Sequence, residues 1–366
     1  MVKHEMNNLL INDIFAQSEN LAGLIDHLYG PEYARLKAAC KFLKGQRPIV
    51  FVGMTSAAYL CHPAEHFLCS HGRLATVMQA SDALYSQLPA LRQAIVVINS
   101  RSGKTAEIIK LAETLKKEEI PFLAITNEPE SPLAQLADHI LWTNSHKDDL
   151  VSVNIITAMM TATLILAAES LGLSEAIEPA LTRLPKLMKT AVDSAWQQAD
   201  ELLTLFRDVS PIYLLHRGAS KGAANCARLV IEEVARRPAI AMESGEFRQG
   251  PIEVVESGFG AMIYILPGTA GELNCRLAAD ITANAGTVYI VGSNDQCGMD
   301  PLNGFPIAPE AGIFNAVLEV VPSQILAFKL AQAQGWVPGD VRYISKVITS
   351  EMGIPSDNRK FRKGTT

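Results

Sequence analysis

The chain has 366 residues, 48% of them hydrophobic and 19% charged, which is enough apolar material for a large core and about two domains. A formal net charge of −6 argues against nucleic acid as a partner, because phosphate backbones are gripped by a basic stripe. The six cysteines form no CxxC pair and the stretch MVKHEMNNLLINDIF has no secretory apolar region, so the cytoplasm is the expected compartment and a small molecule the expected partner.

Residues 1–47 read as a helical segment. From Pro48 onward the runs PIVFVG, AIVVINS, PFLAIT and HILWT read as short buried strands, with helical periodicity filling the gaps. Strand and helix in alternation predict an α/β fold, a parallel sheet with helices on both faces. Leu150–Ala168 carries no charge over a length close to a membrane span. It also contains Ser152, Asn154, Thr157, Thr161 and Thr163 and is flanked by Asp148, Asp149 and Glu169. We therefore read it as a helix buried in the core or at a subunit contact, and expect no membrane.

A helical connector marked by prolines covers 173–208, after which the pattern restarts. PIYLLHRGASKG echoes PIVFVGMTSAAY, and AMIYILPGTAGEL echoes AIVVINSRSGKTAEI. The offset is about 165 residues each time, which predicts two copies of one three-layer α/β/α unit, at 48–172 and 209–334. The tail, 335–366, is richer in glycine, proline and charge and reads as a surface extension.

The turn Ser100-Arg101-Ser102-Gly103-Lys104-Thr105 sits between a strand and an amphipathic helix. Ligands of parallel sheets bind at such junctions, where the helix offers free N–H groups and the positive end of its dipole. Two cations there oppose the dipole unless an anion is present, three hydroxyls add donors, and Gly103 lets the backbone approach. The turn is shaped for a phosphate, with an ordinary Ser/Thr helix cap as the plain alternative. A nucleotide P-loop is excluded, because the glycine it needs five residues before Gly103 is Ile98. The cluster CHPAEHFLCSH offers His62 and His66 at helical spacing, but no HExxH or paired-cysteine pattern, so no metal or other cofactor is expected.

Taken in order, GMTS, SRSGKTAE, ESGEFRQGPIEVV and VRYISKVITSE resemble the SIS (sugar isomerase) family from about Pro48 to Glu351. The likeness is to the isomerase half of glucosamine-6-phosphate synthase, and the SGEF…GP stretch is shared with short Amadori-phosphate deglycases. The resemblance implies that Ser100, Arg101, Ser102 and Thr105 grip a sugar 6-phosphate, with Thr55 and Ser56 assisting and Ser152 touching the substrate. It implies a catalytic glutamate sixteen positions before Gln249, which is Glu233. On the residues alone, Glu233 also reads as part of a solvated helix face. Lys346 corresponds to a lysine of the tail that closes over the sugar and meets its open-chain carbonyl; otherwise it is a surface lysine.

Two departures stand out. The family histidine of HGP is Gln249 here, which can orient a hydroxyl or water but carries no proton at neutral pH. The synthase's second lysine, three residues before the glutamate, is Val230. His216, at the end of the second repeat's first strand, is the nearest substitute acid by topology, and also reads as a packing histidine. The chain begins directly with helix and the first repeat, so glutamine hydrolysis is not expected. The reading is a phosphosugar enzyme of the deglycase or deaminating-isomerase type, with a simple aldose–ketose isomerase or a non-catalytic sugar-phosphate sensor as alternatives. A homodimer or dimer of dimers is expected.

Overall fold

A computed structural model describes residues 8–148, 151–292, 297, 304–344 and 347–351. The chain divides into two compact units, one formed by Ala22–Leu173 with Gly339–Thr366, the other by Met1–Leu21 with Ser174–Pro338.

The first unit holds β1 (Ile49–Gly53), β2 (Ala75–Gln79), β3 (Ile95–Asn99), β4 (Phe122–Thr126) and β5 (His139–Trp142), paired in the order β2-β1-β3-β4-β5. All pairs are parallel, and β1, β3 and β4 are buried along their whole length. Strands covered on both faces read as unbroken apolar runs, which is why these three are visible in the sequence. Helix Ala106–Lys117 buries Ile108, Leu111, Ala112 and Leu115, spaced by three or four, against Val50, Val52, Val96 and Ile98. Each large side chain so buried contributes about 1.5–3 kcal/mol.

The second unit repeats the plan with β6 (Ile212–His216), β7 (Ala239–Glu243), β8 (Gly260–Ile265), β9 (Thr287–Gly292) and β10 (Gly304–Phe305). Its order is β10-β9-β8-β6-β7, the same winding, again parallel. Helices Ser174–Gln197 and Ala199–Phe206 precede it and belong to this unit. Cys275 and Cys297 form a disulfide across a separation of 22 residues. The spacing gave no reason to expect that bond, and reducing compartments disfavour it.

The sequence reading passed over β2 and β7, which occupy equivalent places beside the first strand of each sheet. Only the first residue of each is fully buried, so ATVMQ and AIAME show no apolar run. An edge strand half open to solvent has no need of one.

Helix Asn154–Ser170 is buried from Asn154 to Glu169 and packs on helices His62–Ser70 and Tyr33–Phe42. Its apolar surface is thus covered without a partner chain, which removes the subunit-contact half of the expectation. The Asp148 carboxylate accepts the N–H groups of Asn154 at 2.8 Å and Ile155 at 3.1 Å, capping this buried helix. The hydroxyls of Thr157, Thr161 and Thr163 bond back to carbonyls one turn earlier, so no polar group of theirs is stranded in the core. Among the described residues one helical run, Pro309–Ala333, has the length and apolarity of a membrane span, and 83% of that window is buried inside the protein.

Candidate phosphate-binding turn and carboxylate site

In the first unit the chain leaves β1 toward β2 and leaves β3 toward β4, in opposite directions, so the turns after β1 and β3 flank a switch point. Gly53 ends β1. A Cβ there would lie 2.3 Å from the carbonyl carbon of Ala57, so only glycine lets the chain fold straight into the helix Ser56–Tyr59. Thr55, exposed at the tip, has φ 49° and ψ −118°, a region that a β-branched residue rarely enters. Its N–H donates to Gln79 Oε1 at 2.9 Å and its hydroxyl to the Met54 carbonyl at 2.8 Å.

The turn after β3 is locked by its own hydroxyls. Ser100 Oγ accepts the Gly103 N–H and Ser102 Oγ the Lys104 N–H, both at 3.2 Å. Gly103 has φ 57°, and a Cβ on it would meet Ser131 Oγ at 2.1 Å. From β4, Thr126 Oγ1 donates to the Arg101 carbonyl at 3.2 Å, and Asn127 N–H does so at 3.1 Å. Arg101 Nη1 donates to Ser152 Oγ at 3.3 Å, which brings Ser152 to the turn. Thr105 stands at the N-cap of helix Ala106–Lys117 with extended φ/ψ, and its side chain makes no capping bond. The assembly places hydroxyls, Arg101 and the exposed Lys104 at the positive end of a 12-residue helix, an arrangement that attracts an anion.

The tail reaches the same helix. The Ile348 carbonyl accepts the Ala106 N–H at 3.0 Å, and the Glu351 carboxylate accepts the Tyr85 hydroxyl at 2.7 Å and Lys110 Nζ at 2.9 Å. Tyr85, then Lys110, hold the Glu351 carboxyl below its ordinary range, and Glu351 in turn raises Lys110. Lys346 lies outside the described residues.

Glu233 belongs to the second unit. It lies, half-buried, in a single π turn, Ile231–Ala235, at the end of helix Lys221–Val230, and the turn stops at Arg236 in the left-handed region with φ 52°. Its neighbour Glu232 sits 3.4 Å from Arg228 Nη1; burial pushes the Glu232 carboxyl up while Arg228 opposes that. Both glutamates are partly exposed, and the Arg228–Glu232 pair is of the i,i+4 kind found on helix faces.

Gln249 is exposed just past helix Ser244–Phe247, its N–H donating to the Glu246 carbonyl at 2.9 Å. Phe247 anchors that turn against Tyr213 and Phe259, with ring centroids 5.4 and 5.8 Å apart. Glu243 Oε2 accepts the Glu246 N–H at 2.8 Å, and Ser244 Oγ donates to the His216 carbonyl at 3.2 Å. The His216 side chain is buried at the end of β6. Arg217 Nε donates to Asn274 Oδ1 at 2.9 Å, and its Nη1 lies 3.6 Å from Glu243 Oε1, so the arginine after β6 already has an acceptor and a counter-charge of the protein's own.

Sequence reasoning missed two residues here. Gln79 has no motif, and only the strand pairing delivers it to Thr55. Glu319, fully buried, accepts the Ser220 hydroxyl at 2.9 Å, and burial pushes its carboxyl up to about 8. Its only signal was a lone carboxylate in the apolar run FNAVLEVVP. In the CHPAEHFLCSH helix, His62 Nδ1 lies 2.6 Å from Glu65 Oε2, and Glu65 Oε1 accepts the Val77 N–H at 3.2 Å. Among the described residues no three His, Cys, Asp or Glu side chains are grouped to hold a metal.

Residues 42–169 match the family model described as the SIS domain. Over 94% of its length the chain is 25% identical to glutamine–fructose-6-phosphate aminotransferase (isomerizing) of Pyrobaculum aerophilum, and it spans 58% of the length of that relative. The fold superposes with a TM-score of 0.78 on the C-terminal domain of glucosamine-fructose-6-phosphate aminotransferase from Francisella tularensis, at 18% identity, covering 91% of this chain and 97% of that one. Glucosamine-6-phosphate deaminase from Thermotoga maritima superposes with a TM-score of 0.75 at 20% identity, covering 93% of this chain and 99% of that one. At these identities the likeness to solved structures is one of fold.

Proposed function

From a chain whose residues 42–169 match the SIS domain, we propose a phosphosugar enzyme of the isomerase type, acting on a 6-phosphorylated aminosugar or amino-acid Amadori adduct. The observation that carries this is the turn Ser100–Thr105 at the β1/β3 switch point, with Thr55 on the adjoining turn and Ser152 drawn in by Arg101. Its donors and cations suit a phosphate dianion, and Ser56 starts the short helix that follows Thr55.

Both substrate types carry a carbonyl and an amine on adjacent carbons. Moving a proton from the amine-bearing carbon to the carbonyl carbon, through an enediol or enaminol, turns the C–N bond into an imine that water hydrolyses to hexose phosphate and free amine or ammonia. That chemistry needs one carboxylate able to take the proton and return it, and Glu233 is our candidate. Lys346 would meet the open-chain carbonyl, and Gln249 would orient a hydroxyl or water without carrying the proton. We propose a homodimer, and a cytoplasmic location in which the Cys275–Cys297 pair would be kept reduced.

A binding-only sensor is the second reading, favoured by Gln249 and Val230 at positions where the family carries a histidine and a lysine. One experiment separates the two. Glucosamine 6-phosphate and amino-acid Amadori 6-phosphates are incubated with the protein in deuterated water and followed by NMR. Incorporation of deuterium on the sugar carbons, with release of hexose phosphate, is the expected result. Binding without any carbon-bound exchange would replace the enzyme by the sensor.

A further inference from the structure

We infer that Gln79 is a positioning residue that holds Thr55 in its strained conformation beside the phosphate-binding turn, an inference that rests on the phosphosugar reading above. At φ 49° and ψ −118° the backbone of Thr55 occupies territory that glycine enters freely and a β-branched residue does not. Such a conformation persists only where the surroundings impose it, and it concentrates at sites that bind or react. The Thr55 carbonyl accepts the Ala58 and Tyr59 N–H groups at 3.0 Å each as the next helix starts, and two bonds that involve side chains complete the set. One is the residue's own hydroxyl on the Met54 carbonyl; the other comes from Gln79, whose Oε1 accepts the Thr55 N–H at 2.9 Å. Because the backbone partner is a donor, the oxygen end of the carboxamide must face it.

The sheet register explains how Gln79 gets there. In the β1–β2 pairing Gln79 is the partner of Gly53, the glycine at which the chain turns two residues before Thr55. The last residue of an edge strand thereby reaches over the end of its neighbour and fixes the turn that follows. A chain needing only a turn would relax by placing glycine at this position. Threonine held here against its preference places its Oγ1 at the switch point, beside the turn after β3, while its N–H is taken up by Gln79. Without Gln79 the Thr55 N–H loses its acceptor, the residue relaxes toward an ordinary negative φ, and its hydroxyl moves.

The test is a double-mutant cycle on the whole chain, with glucosamine 6-phosphate as the calorimetric probe and thermal unfolding as a readout that needs no ligand. Gln79→Ala is expected to weaken binding about 5- to 20-fold, and Thr55→Gly about 5-fold through loss of the hydroxyl. In the Thr55→Gly background, Gln79→Ala should cost less than twofold, because glycine holds the conformation unaided. Thr55→Gly should raise Tm in the wild-type background, where it relieves strain, and give no gain beside Gln79→Ala, where the strain is already released. An equal affinity loss in both backgrounds would mean that Gln79 acts on the ligand directly, and would overturn the inference. Should the wild-type chain bind no phosphosugar, the functional reading fails on its own; Tm changes that then simply add would remove the positioning role too.

Discussion

The two sheets share a strand order and differ in what lies at their switch points. In the first unit the turn after β3 gathers serine and threonine hydroxyls around Gly103, with Arg101 reaching Ser152 and Lys104 exposed. In the second, the residue after β6 is Arg217, and the protein supplies its counter-charge and its acceptor, Glu243 and Asn274. A duplicated architecture thus keeps one strand order with different side chains at its two switch points, and the first is the one we propose for an anionic ligand. The second unit contributes something else: a glutamate on a π turn, Glu233, and a turn, SGEFRQGP, pinned by Phe247.

If binding belongs to the first switch point and proton transfer to the second unit, substitutions should separate the two. The largest effect is expected from Glu233→Gln, a loss of about 10²–10⁴ in kcat with phosphosugar affinity within about threefold of wild type. Steady-state kinetics and calorimetry on the same preparation would test this, and a variant that loses binding along with turnover breaks the division. Next, Ser102→Ala with Thr105→Ala should weaken phosphosugar binding at least about tenfold, since hydrogen bonds to a charged group contribute about 1.5–3 kcal/mol each. Unchanged affinity by calorimetry would remove the turn from the site.

A smaller effect concerns the buried Glu319 of the second unit. Its carboxyl is raised from 4.5 to about 8 in the fold, so the folded state holds a proton that the unfolded chain has already released. Stability from this group is complete below about 4.5, falls as pH rises through that window, and levels off above about 8. Glu319→Gln keeps the shape and removes the titration. The Tm of the variant relative to wild type should therefore be several degrees higher at pH 8.5 than at pH 5. An identical pH dependence in both proteins would show that Glu319 is ionised throughout.

The smallest expected effect is also the sharpest control. Arg217→Ala removes a partly exposed ion pair, worth about 0–1 kcal/mol, and the bond to the buried Asn274 amide, worth about 1–3 kcal/mol, and should lower Tm by a few degrees while leaving phosphosugar affinity within about twofold. A collapse of affinity would make the second switch point part of the binding site and erase the contrast between the sheets.

What the sequence disclosed follows the physics of burial. β1, β3, β4, β6 and β8 are buried on both faces and announce themselves as apolar runs, and the SRSGKTAE turn is legible because its residue types are local. β2 and β7 escaped because an edge strand need not be apolar. Gln79 escaped because its role arises from register with Gly53, which no local pattern encodes. Glu319 was visible only as an oddity in an apolar helix. Ser152 was placed by resemblance alone, and its bond to Arg101 now supplies a physical reason for it.

The bond from Ala106 N–H to the Ile348 carbonyl makes one amide a reporter on a distant stretch of chain. The first amides of a helix have no partner within the helix and ordinarily exchange their protons with solvent freely. Here the Ala106 proton is shielded while residues 347–351 are seated, so its exchange rate measures the opening equilibrium of that segment. The Glu351 contacts that help seat it are exposed and weaken as ions screen them. Adding salt should therefore deprotect a single amide beside the turn Ser100–Thr105, long before any global unfolding begins.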